Sequence, residues 1–378
     1  MQVFSDECEY LLHLVRCAIH DLQPQELPEG LLFGRVYECG VYHHVANIAF
    51  YSVERLTNKP EVELYRKWED CRNMAVVRHI NQIYAAQEIR QGFLAAGIRW
   101  IEVQGTRIKP LYPQPEWRTM SDIDFIIDRE NLPEAAEILK MLGYICKDSH
   151  GVEVDGFRSP NINVEIHTEY FPEASQYYST MRPPFASVEE TGAYDANEFY
   201  LYNILHIAKH YFLNGCGIRR VLDAYYLNKN YSQIIDGSYI KSILERANAA
   251  DFAAELAELA NTWFGMEEQD FPKTKMARFF IQSGLHGTRA NELKNHLAKT
   301  FDSTVRFAKL KYFLRRVLGT PKNLRKDYPV LERYIFLYPF CWLHRTFRAL
   351  KPQKLKRLRK EVEAVMNTKT TDESKPQT

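Results

Sequence analysis

The sequence predicts an α+β protein in which a small mixed sheet lies between helical segments at both ends of the chain. Apolar residues recur every three or four positions before residue 97 and after residue 197, which is the period of an α-helix. Between these parts, apolar and polar residues alternate tightly in several short runs, which is the period of a β-strand. A hydrophobic share of 46% and a charged share of 26% are typical of a globular chain.

The order of these patterns divides the 378 residues into four parts. We expect an N-terminal helical segment (1–80), an α/β core (81–190), a C-terminal helical region with a basic end (191–366) and a disordered tail (367–378). The tail is polar and has no apolar period, so it lacks the apolar surface that folding requires.

Helices and strands follow one another in a defined order through the predicted core. A helix over 75–96 is closed by Gly97, because glycine is typical of helix C-termini. One or two helical turns are expected at 106–113, and an amphipathic helix at 132–144. The alternating runs predict five strands, at 98–105, 120–128, 144–148, 151–157 and 161–171.

Helical periodicity returns after Asn197 and continues toward the basic end of the chain. Four helices are predicted, at 198–212, 219–227, 239–249 and 253–265. We find no internal repeat, so the helices are not expected to form a solenoid.

Seven cysteines are scattered along the chain, without a CxxC pair or a Cys/His spacing typical of a metal site. We therefore predict that all of them are reduced thiols. The N-terminus has no basic segment followed by an apolar one, and the longest apolar run, 334–343, has about half the length that a membrane span requires. Together these features predict a cytoplasmic protein.

Acidic residues of two predicted strands form the first candidate site. Asp122 and Asp124 are two residues apart, so their side chains leave the same face of a strand about 7 Å apart. Ile123 and Phe125 then face a core. Glu165 alternates with apolar neighbours in the same way and could join the pair from an adjacent strand. Because carboxylates held this close repel one another, a divalent cation such as Mg²⁺ would offset the cost, and the three acids are candidate metal ligands and catalytic residues.

A glycine and a threonine upstream of these acids form the second candidate site. Gly105 and Thr106 follow a strand and open a short helix, where the backbone can approach a phosphate and free N–H groups can donate to it. The basic residues Arg107, Lys109 and Arg118 are near enough in sequence to help neutralise a triphosphate. Gly105, Thr106, Lys109 and Arg118 are the candidate nucleotide-binding residues.

The stretch GTRIKPLYPQPEWRTMSDIDFII, residues 105–127, resembles the signature of the uncharacterised nucleotidyltransferase family within the DNA polymerase beta-like superfamily. Its pattern is a glycine with a small residue, a tyrosine–proline turn, an arginine and an Asp-x-Asp strand. NVEIHTEY matches the third carboxylate strand, and LYNILHIAKHYFLNGCGIRRVLDAYYL resembles the helical segment of that family. The resemblance covers about residues 80–230.

This resemblance implies transfer of a nucleoside monophosphate from a nucleoside triphosphate to an acceptor, with release of pyrophosphate. Asp122 and Asp124 would hold two metal ions, Mg²⁺ or alternatively Mn²⁺, and Glu165 would hold the catalytic ion and help to deprotonate the acceptor. The acceptor stays open between a small molecule, a peptide and a protein. Gln104 stands where such proteins often carry lysine, so the alternative is an inactive nucleotidyltransferase fold that binds a nucleotide or a partner as a scaffold.

Histidines on the first predicted C-terminal helix have two interpretations. His206 and His210 lie four residues apart with Lys209 between them, so all three are candidate substrate contacts. A partly buried helix face is the plainer explanation for the two histidines.

Two further assignments are structural rather than functional. Arg219 and Asp223 are four residues apart on a predicted helix, so they are expected to form an ion pair. His167 is expected to point away from the face of Glu165, as a core or supporting residue.

The basic end of the chain has several interpretations. Residues 305–360 carry 17 Lys and Arg against two acidic residues, whereas the net charge of the whole chain is +1. A solvated helical face, an anionic substrate such as RNA and an anionic membrane surface all suit this charge. No RNA-binding motif accompanies it, which argues against nucleic acid. Peripheral membrane contact through this region stays open beside the plain solvated face.

Overall fold

The computed structural model describes residues 5–148, 153–170, 180–186, 188, 194–213, 215–267, 274–284 and 340–341. The chain divides into two units, one formed by Met1–Tyr211 with Gly215–His286 and the other by Phe212–Asn214 with Gly287–Thr378. The sheet and the candidate site lie in the first unit. The predicted basic region and the predicted tail lie outside the described residues, apart from Phe340 and Cys341.

The N-terminal part of the chain is helical, as the periodicity predicts. Its helices are α1 (Ser5–His20), α2 (Phe33–Tyr42), α3 (Ala46–Val53) and α4 (Val62–Ala95). Helix α4 has 34 residues, so it begins earlier than the sequence predicts and runs through the division expected at residue 80. It ends at the predicted glycine: Gly97 has a φ of +69°, and the Ile98 N–H donates to the Phe93 carbonyl at 2.9 Å. Glycine adopts this backbone conformation without steric cost, and the bond satisfies a terminal carbonyl of the helix.

A five-stranded mixed sheet follows, at the positions that the alternation predicts. Its strands are β1 (Trp100–Glu102), β2 (Asp122–Ile127), β3 (Ile145–Asp148), β4 (Glu153–Arg158) and β5 (Ile162–His167). Their order across the sheet is β1-β2-β5-β4-β3. The pair β2–β5 is parallel, and the other three neighbouring pairs are antiparallel. This mixed sheet among helices confirms the α+β class.

Two helices cover one face of the sheet and fix which residues leave the other face. Between β1 and β2 lie the short helix α5 (Gly105–Ile108) and two single 3₁₀ turns, and α6 (Leu132–Met141) follows β2. Apolar side chains of α4 and α6 form one core with Ile123, Phe125 and Ile127 of β2. Burial of this apolar surface stabilises the layer. Because side chains alternate along a strand, Asp122 and Asp124 leave the opposite face.

The chain continues as helices at the segments that the sequence predicts. They are α7 (Ala196–Leu213), α8 (Ile218–Tyr231), α9 (Gly237–Arg246), α10 (Ala250–Phe264) and α11 (Lys275–Ser283). Within the described ranges, none of the helices combines the length and the apolar character that crossing a bilayer requires.

Two cysteines form a disulfide bond, which corrects the prediction that all seven are reduced thiols. The bond joins Cys8 of α1 to Cys39 of α2, and the two residues are 31 positions apart. The sequence gave no sign of this pair, because the packing of α1 against α2 brings the two positions together. The free cysteines of the described residues are Cys17, Cys71, Cys146, Cys216 and Cys341.

Candidate active site

The two central strands bring the predicted carboxylates together. In the parallel register of β2 and β5, Asp124 lies directly beside Glu165. Asp122, two residues earlier, lies beside Asn163 in the same register. Asp124 is only 1% exposed, whereas Asp122 and Glu165 keep part of their surface in water. A rigid strand pair therefore holds three acidic residues on the face opposite α4 and α6.

His167 joins this cluster, so the expectation that it points away from Glu165 is wrong. Positions 165 and 167 are two apart on β5 and share a face, by the alternation that also groups Asp122 with Asp124. The Nε2 atom of His167 lies 3.6 Å from Asp124 Oδ1 and 3.5 Å from Glu165 Oε2. One ligand atom from each of these three residues lies within 4.8 Å of the others, which is close enough for a shared metal ion.

Glu153 completes the surroundings of His167, although the sequence did not single it out. It lies opposite His167 in the antiparallel register of β4 and β5, and its Oε2 is 3.7 Å from His167 Nδ1. Hydrogen bonding to His167 lowers the pKa of Glu153. The alternation in residues 151–157 indicates the face of Glu153, but only the pairing of β4 with β5 places it beside His167.

Burial and neighbouring charges set the protonation of this cluster. Burial raises the pKa of Asp124 to about 7; hydrogen bonding to His167 opposes the shift, and the charges of Asp122 and Glu165 add to it. Burial also disfavours a charge on His167, but its contacts with Asp124, Glu153 and Glu165 outweigh that cost and raise the pKa of His167 to about 11. The imidazolium therefore balances part of the negative charge.

The turn that precedes α5 brings a polar side chain to Asp124. Gln104 has a φ of +53°, in the left-handed region that costs free energy for a residue with a side chain. Its Nε2 donates a hydrogen bond to Asp124 Oδ1 at 3.1 Å. Strained backbone of this kind persists where the surrounding structure holds it, which is common at functional sites.

Gly105 occupies a place where no side chain fits. A Cβ atom there would lie 2.6 Å from Arg118 Nη1 and 2.6 Å from Met120 Sδ. The absence of a side chain therefore lets the loop backbone approach the guanidinium. The Thr106 hydroxyl donates to the Val103 carbonyl at 3.1 Å, so in this structure it supports the turn.

Arg118 is held by residues of α8 and of the loop that contains it. Its Nε and Nη2 donate to the two carboxylate oxygens of Asp223, each at 3.1 Å. The Tyr112 hydroxyl donates to Asp223 Oδ1 at 2.8 Å, and Arg220 Nη1 lies 3.5 Å from Asp223 Oδ2. The guanidinium of Arg118 is thus fixed by a buried carboxylate, while its Nη1 lies close to Gly105.

Arg219 does not form the predicted ion pair with Asp223. Its Nη1 donates to the Thr119 carbonyl at 2.7 Å and to the Thr119 hydroxyl at 3.1 Å. Asp223 is instead paired with Arg118 and Arg220. The spacing of four along α8 was correct for a helix, but residues distant in sequence provide the better partners.

Lys109 is buried below the same loop. It is 5% exposed, and its Nζ lies 3.0 Å from Gln82 Oε1 and 3.3 Å from His79 Nδ1 of α4. Burial lowers the pKa of Lys109 to about 7, and the charges of Arg118 and Arg219 add to the effect. Lys109 therefore lies among cations and neutral groups.

The candidate substrate contacts on α7 differ in exposure. His206 is buried, and its Nε2 lies 2.8 Å from His210 Nε2. Burial, with the positive charges of His210 and Arg220, holds the pKa of His206 well below its ordinary value. Lys209 is near enough to Glu153 for its charge to favour the Glu153 carboxylate. The structure thus brings Lys209 toward the acidic cluster and places His206 in a packed helix face.

Comparison with known proteins adds one finding. A protein-family model described as an uncharacterised nucleotidyltransferase matches residues 32–265, which is more than half of the chain. The matched range contains the acidic cluster, the loop at Gly105 and helix α8. No individual curated protein matches the chain significantly, and no solved structure does.

Proposed function

Because the chain belongs to the uncharacterised nucleotidyltransferase family, we propose that it transfers a nucleoside monophosphate from a nucleoside triphosphate to an acceptor hydroxyl. The observation that carries the proposal is the parallel register of β2 and β5, which sets Asp124 beside Glu165 with Asp122 on the same face. Three carboxylates on two rigid strands are a costly arrangement for a protein without a cationic ligand.

The acidic residues suit a divalent cation. Oxygen ligands are the ones that Mg²⁺ and Mn²⁺ prefer, and Asp122, Asp124 and Glu165 would hold the ions. The raised pKa of Asp124 fits this role, because a buried carboxylate among other acids gains most from a nearby cation. Bound there, the ions would supply positive charge to the triphosphate and to the leaving pyrophosphate.

The chain itself would position the triphosphate at the loop between β1 and β2. Gly105 allows the backbone N–H groups to approach phosphate oxygens, and Thr106 follows at the start of α5. Arg118, fixed by Asp223, and the nearby Lys109 contribute positive charge at this loop. These contributions favour binding of an anionic group without requiring either cation to leave its buried partners.

In the transfer step, the acceptor oxygen attacks the α-phosphorus, and the bond from that phosphorus to the pyrophosphate oxygen breaks. Glu165 takes the proton of the acceptor hydroxyl. The acceptor is a small molecule, a peptide or a protein; Lys209 of α7, which lies near Glu153, is proposed to contact it, together with His206 and His210. The site in this form needs no nucleic acid template.

Calorimetric titration with ATP, GTP, CTP and UTP tests the proposal. Wild-type protein is expected to bind one of them only in the presence of Mg²⁺ or Mn²⁺, and the Asp122→Asn/Asp124→Asn variant to lose that binding. Asp128→Asn is a matched control, because Asp128 follows the same strand but pairs with Arg99. Well-folded wild-type protein that binds no nucleotide would overturn the proposal. A nucleotide that binds shows which labelled triphosphate to use in a screen for acceptors.

A second candidate is an inactive fold that serves as a scaffold. The favouring observation is that Gln104 brings an uncharged amide to Asp124, where a cation would aid phosphate binding. Nucleotide affinity that needs no metal and survives Asp122→Asn/Asp124→Asn would select the scaffold over the enzyme. Metal-dependent binding that the double variant loses would select the enzyme.

A further inference from the structure

A second group of metal-ligating side chains lies in the N-terminal helices, apart from the acidic cluster. It consists of Cys8 on α1, Cys39 on α2 and His43 directly after α2. The three residues are 1%, 1% and 0% exposed. One ligand atom from each lies within 4.8 Å of the others. Two sulfurs and an imidazole are a ligand set that zinc prefers, whereas Mg²⁺ prefers oxygen.

The sequence contains the spacing that places two of these ligands together. Cys39 and His43 are four residues apart, so they lie on one side of α2 and of the turn that ends it. This corrects the statement that no Cys/His spacing typical of a metal site is present. Cys8 arrives from α1, with its Cα 6.2 Å from that of Cys39. Two sulfurs on one tetrahedral zinc ion lie about 3.8 Å apart, and side-chain rotation from this Cα separation can provide that spacing.

The surroundings of His43 provide a place for the proton of a metal-bound imidazole. Nδ1 accepts a hydrogen bond from the Ile218 N–H at 3.3 Å, and Nε2 makes no hydrogen bond although the Ile281 backbone lies near the ring. A metal-bound imidazole donates from its other nitrogen, usually to a carbonyl. Binding through Nδ1 would leave the Nε2–H near the Ile281 carbonyl. It would cost the long bond from Ile218, roughly 1 kcal/mol, against about 10 kcal/mol or more for a structural zinc ion.

We propose that the reduced form of this chain binds one zinc ion through Cys8, Cys39 and His43. A dithiol or phosphine reductant supplies two electrons to the disulfide bond, and each sulfur takes up one proton to become a thiol. The zinc ion then displaces the two thiol protons and binds two thiolates and the neutral imidazole. Three protein ligands leave the fourth tetrahedral position to water.

The proposal gives the N-terminal helices two covalently or coordinatively closed states. In the oxidised state the disulfide bond ties α1 to α2. In the reduced state the zinc ion ties both helices to the turn at His43, which contacts the first residue of α8. Helix α8 carries Arg219 and Asp223, the residues that hold the loop before β2. The proposal does not depend on nucleotidyl transfer, because none of its ligands belongs to the acidic cluster.

Metal analysis of the full-length protein tests it. Protein reduced with a phosphine, loaded with ZnCl₂ and dialysed is expected to hold one equivalent of zinc, whereas the oxidised protein holds none at this site. Cys39→Ser and Cys8→Ser in reduced form are expected to lose that equivalent. Cys17→Ser is the matched control, because Cys17 is a buried free thiol of α1. Asp122→Asn/Asp124→Asn should keep the equivalent, which separates this site from the acidic cluster.

A spectroscopic measurement on wild-type protein guards against variants that fail to fold. Reduced protein titrated with Co²⁺ is expected to show thiolate-to-cobalt charge transfer and a tetrahedral visible spectrum, both absent from the oxidised protein. Folded, reduced wild-type protein without zinc and without the charge-transfer band would overturn the proposal. Zinc that is retained in full by both Cys8→Ser and Cys39→Ser would overturn it as well.

Discussion

Asp223 of α8 accepts both hydrogen bonds of the Arg118 guanidinium fork at 3.1 Å each, in a pair whose side chains are 0% and 3% exposed. The two residues are 105 positions apart in sequence. Burial alone would raise the pKa of Asp223, but the charges of Arg118 and Arg220 outweigh it and hold that pKa below its ordinary value. Helix α8 therefore carries the anchor for the loop that we propose to bind phosphate.

Removal of this anchor should destabilise the fold strongly. Asp223→Ala leaves Arg118 as an uncompensated buried charge, and breaking such a pair from one side costs about 3–5 kcal/mol. The free energy of unfolding is measured by urea titration followed by circular dichroism. Glu137→Ala is the control: its pair with Lys140 is exposed at 67% and 53%. Exposed pairs contribute about 0–1 kcal/mol. Equal losses in the two variants would contradict the anchoring role.

The same carboxylate gives a signed dependence on pH. The folded pKa of Asp223 lies below that of an unfolded aspartate, about 3.9. Its contribution to stability is therefore complete above pH ~4 and is lost as the pH falls through the folded value. The stability difference between wild type and Asp223→Asn should thus shrink as the pH is lowered from about 6 to about 3. Urea midpoints at several pH values measure it, and a difference that stays constant would show that the pair does not depend on the ionised carboxylate.

Lys109 should act on stability in the alkaline range. Its pKa is about 7 in the folded chain, whereas an unfolded lysine has a pKa of about 10.4. Below pH ~7 the folded protein bears the cost of a buried ammonium, and above pH ~10 both states hold a neutral amine. Wild type should therefore gain roughly a few kcal/mol over Lys109→Met between these values, as linkage requires. Urea midpoints of both proteins from neutral to alkaline pH test this, and parallel profiles would show that Lys109 keeps its ordinary pKa.

The local features of this fold were predictable because they depend on short-range chemistry. Alternation and helical period located the five strands, and Gly97 ended α4 where glycine was expected. The start of α4 at Val62 was not predicted, because its first turns are rich in charged residues and show a weak apolar period. The face of Asp122 and Asp124 also followed from alternation alone.

The remaining features depend on contacts between distant parts of the chain. Nothing local indicates that β2 and β5 are neighbours, so the closeness of Asp124 to Glu165 was a conjecture until the register was known. The same holds for Asp223 with Arg118 and for Cys8 with Cys39. The misplacement of His167 was different, since counting two residues from Glu165 would have put it on the correct face.

Gly105→Ala should disturb the loop at the proposed phosphate site. The new methyl group would meet Arg118 Nη1 and Met120 Sδ, each at 2.6 Å, and the guanidinium cannot yield freely because Asp223 holds it. Overpacking of this kind costs about 1–3 kcal/mol. Gly34→Ala is the matched control, because a Cβ there meets nothing within 4 Å and Gly34 lies in α2. Ala in a helix is favoured over Gly by up to about 1 kcal/mol, so this variant should be unchanged or more stable. Urea titration of both variants distinguishes the cases, and equal stability would show that the loop has room to move.

Gln104 offers a direct measure of the strain stored beside Asp124. Its φ of +53° is left-handed, and such a conformation costs about 1–3 kcal/mol for a residue with a side chain. Gln104→Gly and Gln104→Ala both remove the hydrogen bond to Asp124, so their difference isolates the backbone. Glycine gives back about 0.5–1 kcal/mol through the greater entropy of its unfolded chain. The glycine variant should therefore be more stable than the alanine variant by about 0.5–2 kcal/mol in urea titration. An alanine variant as stable as the glycine variant would mean that the turn relaxes and that the left-handed φ stores no strain; a stable glycine variant with weakened nucleotide binding would mean that the chain keeps Gln104 for its amide at Asp124.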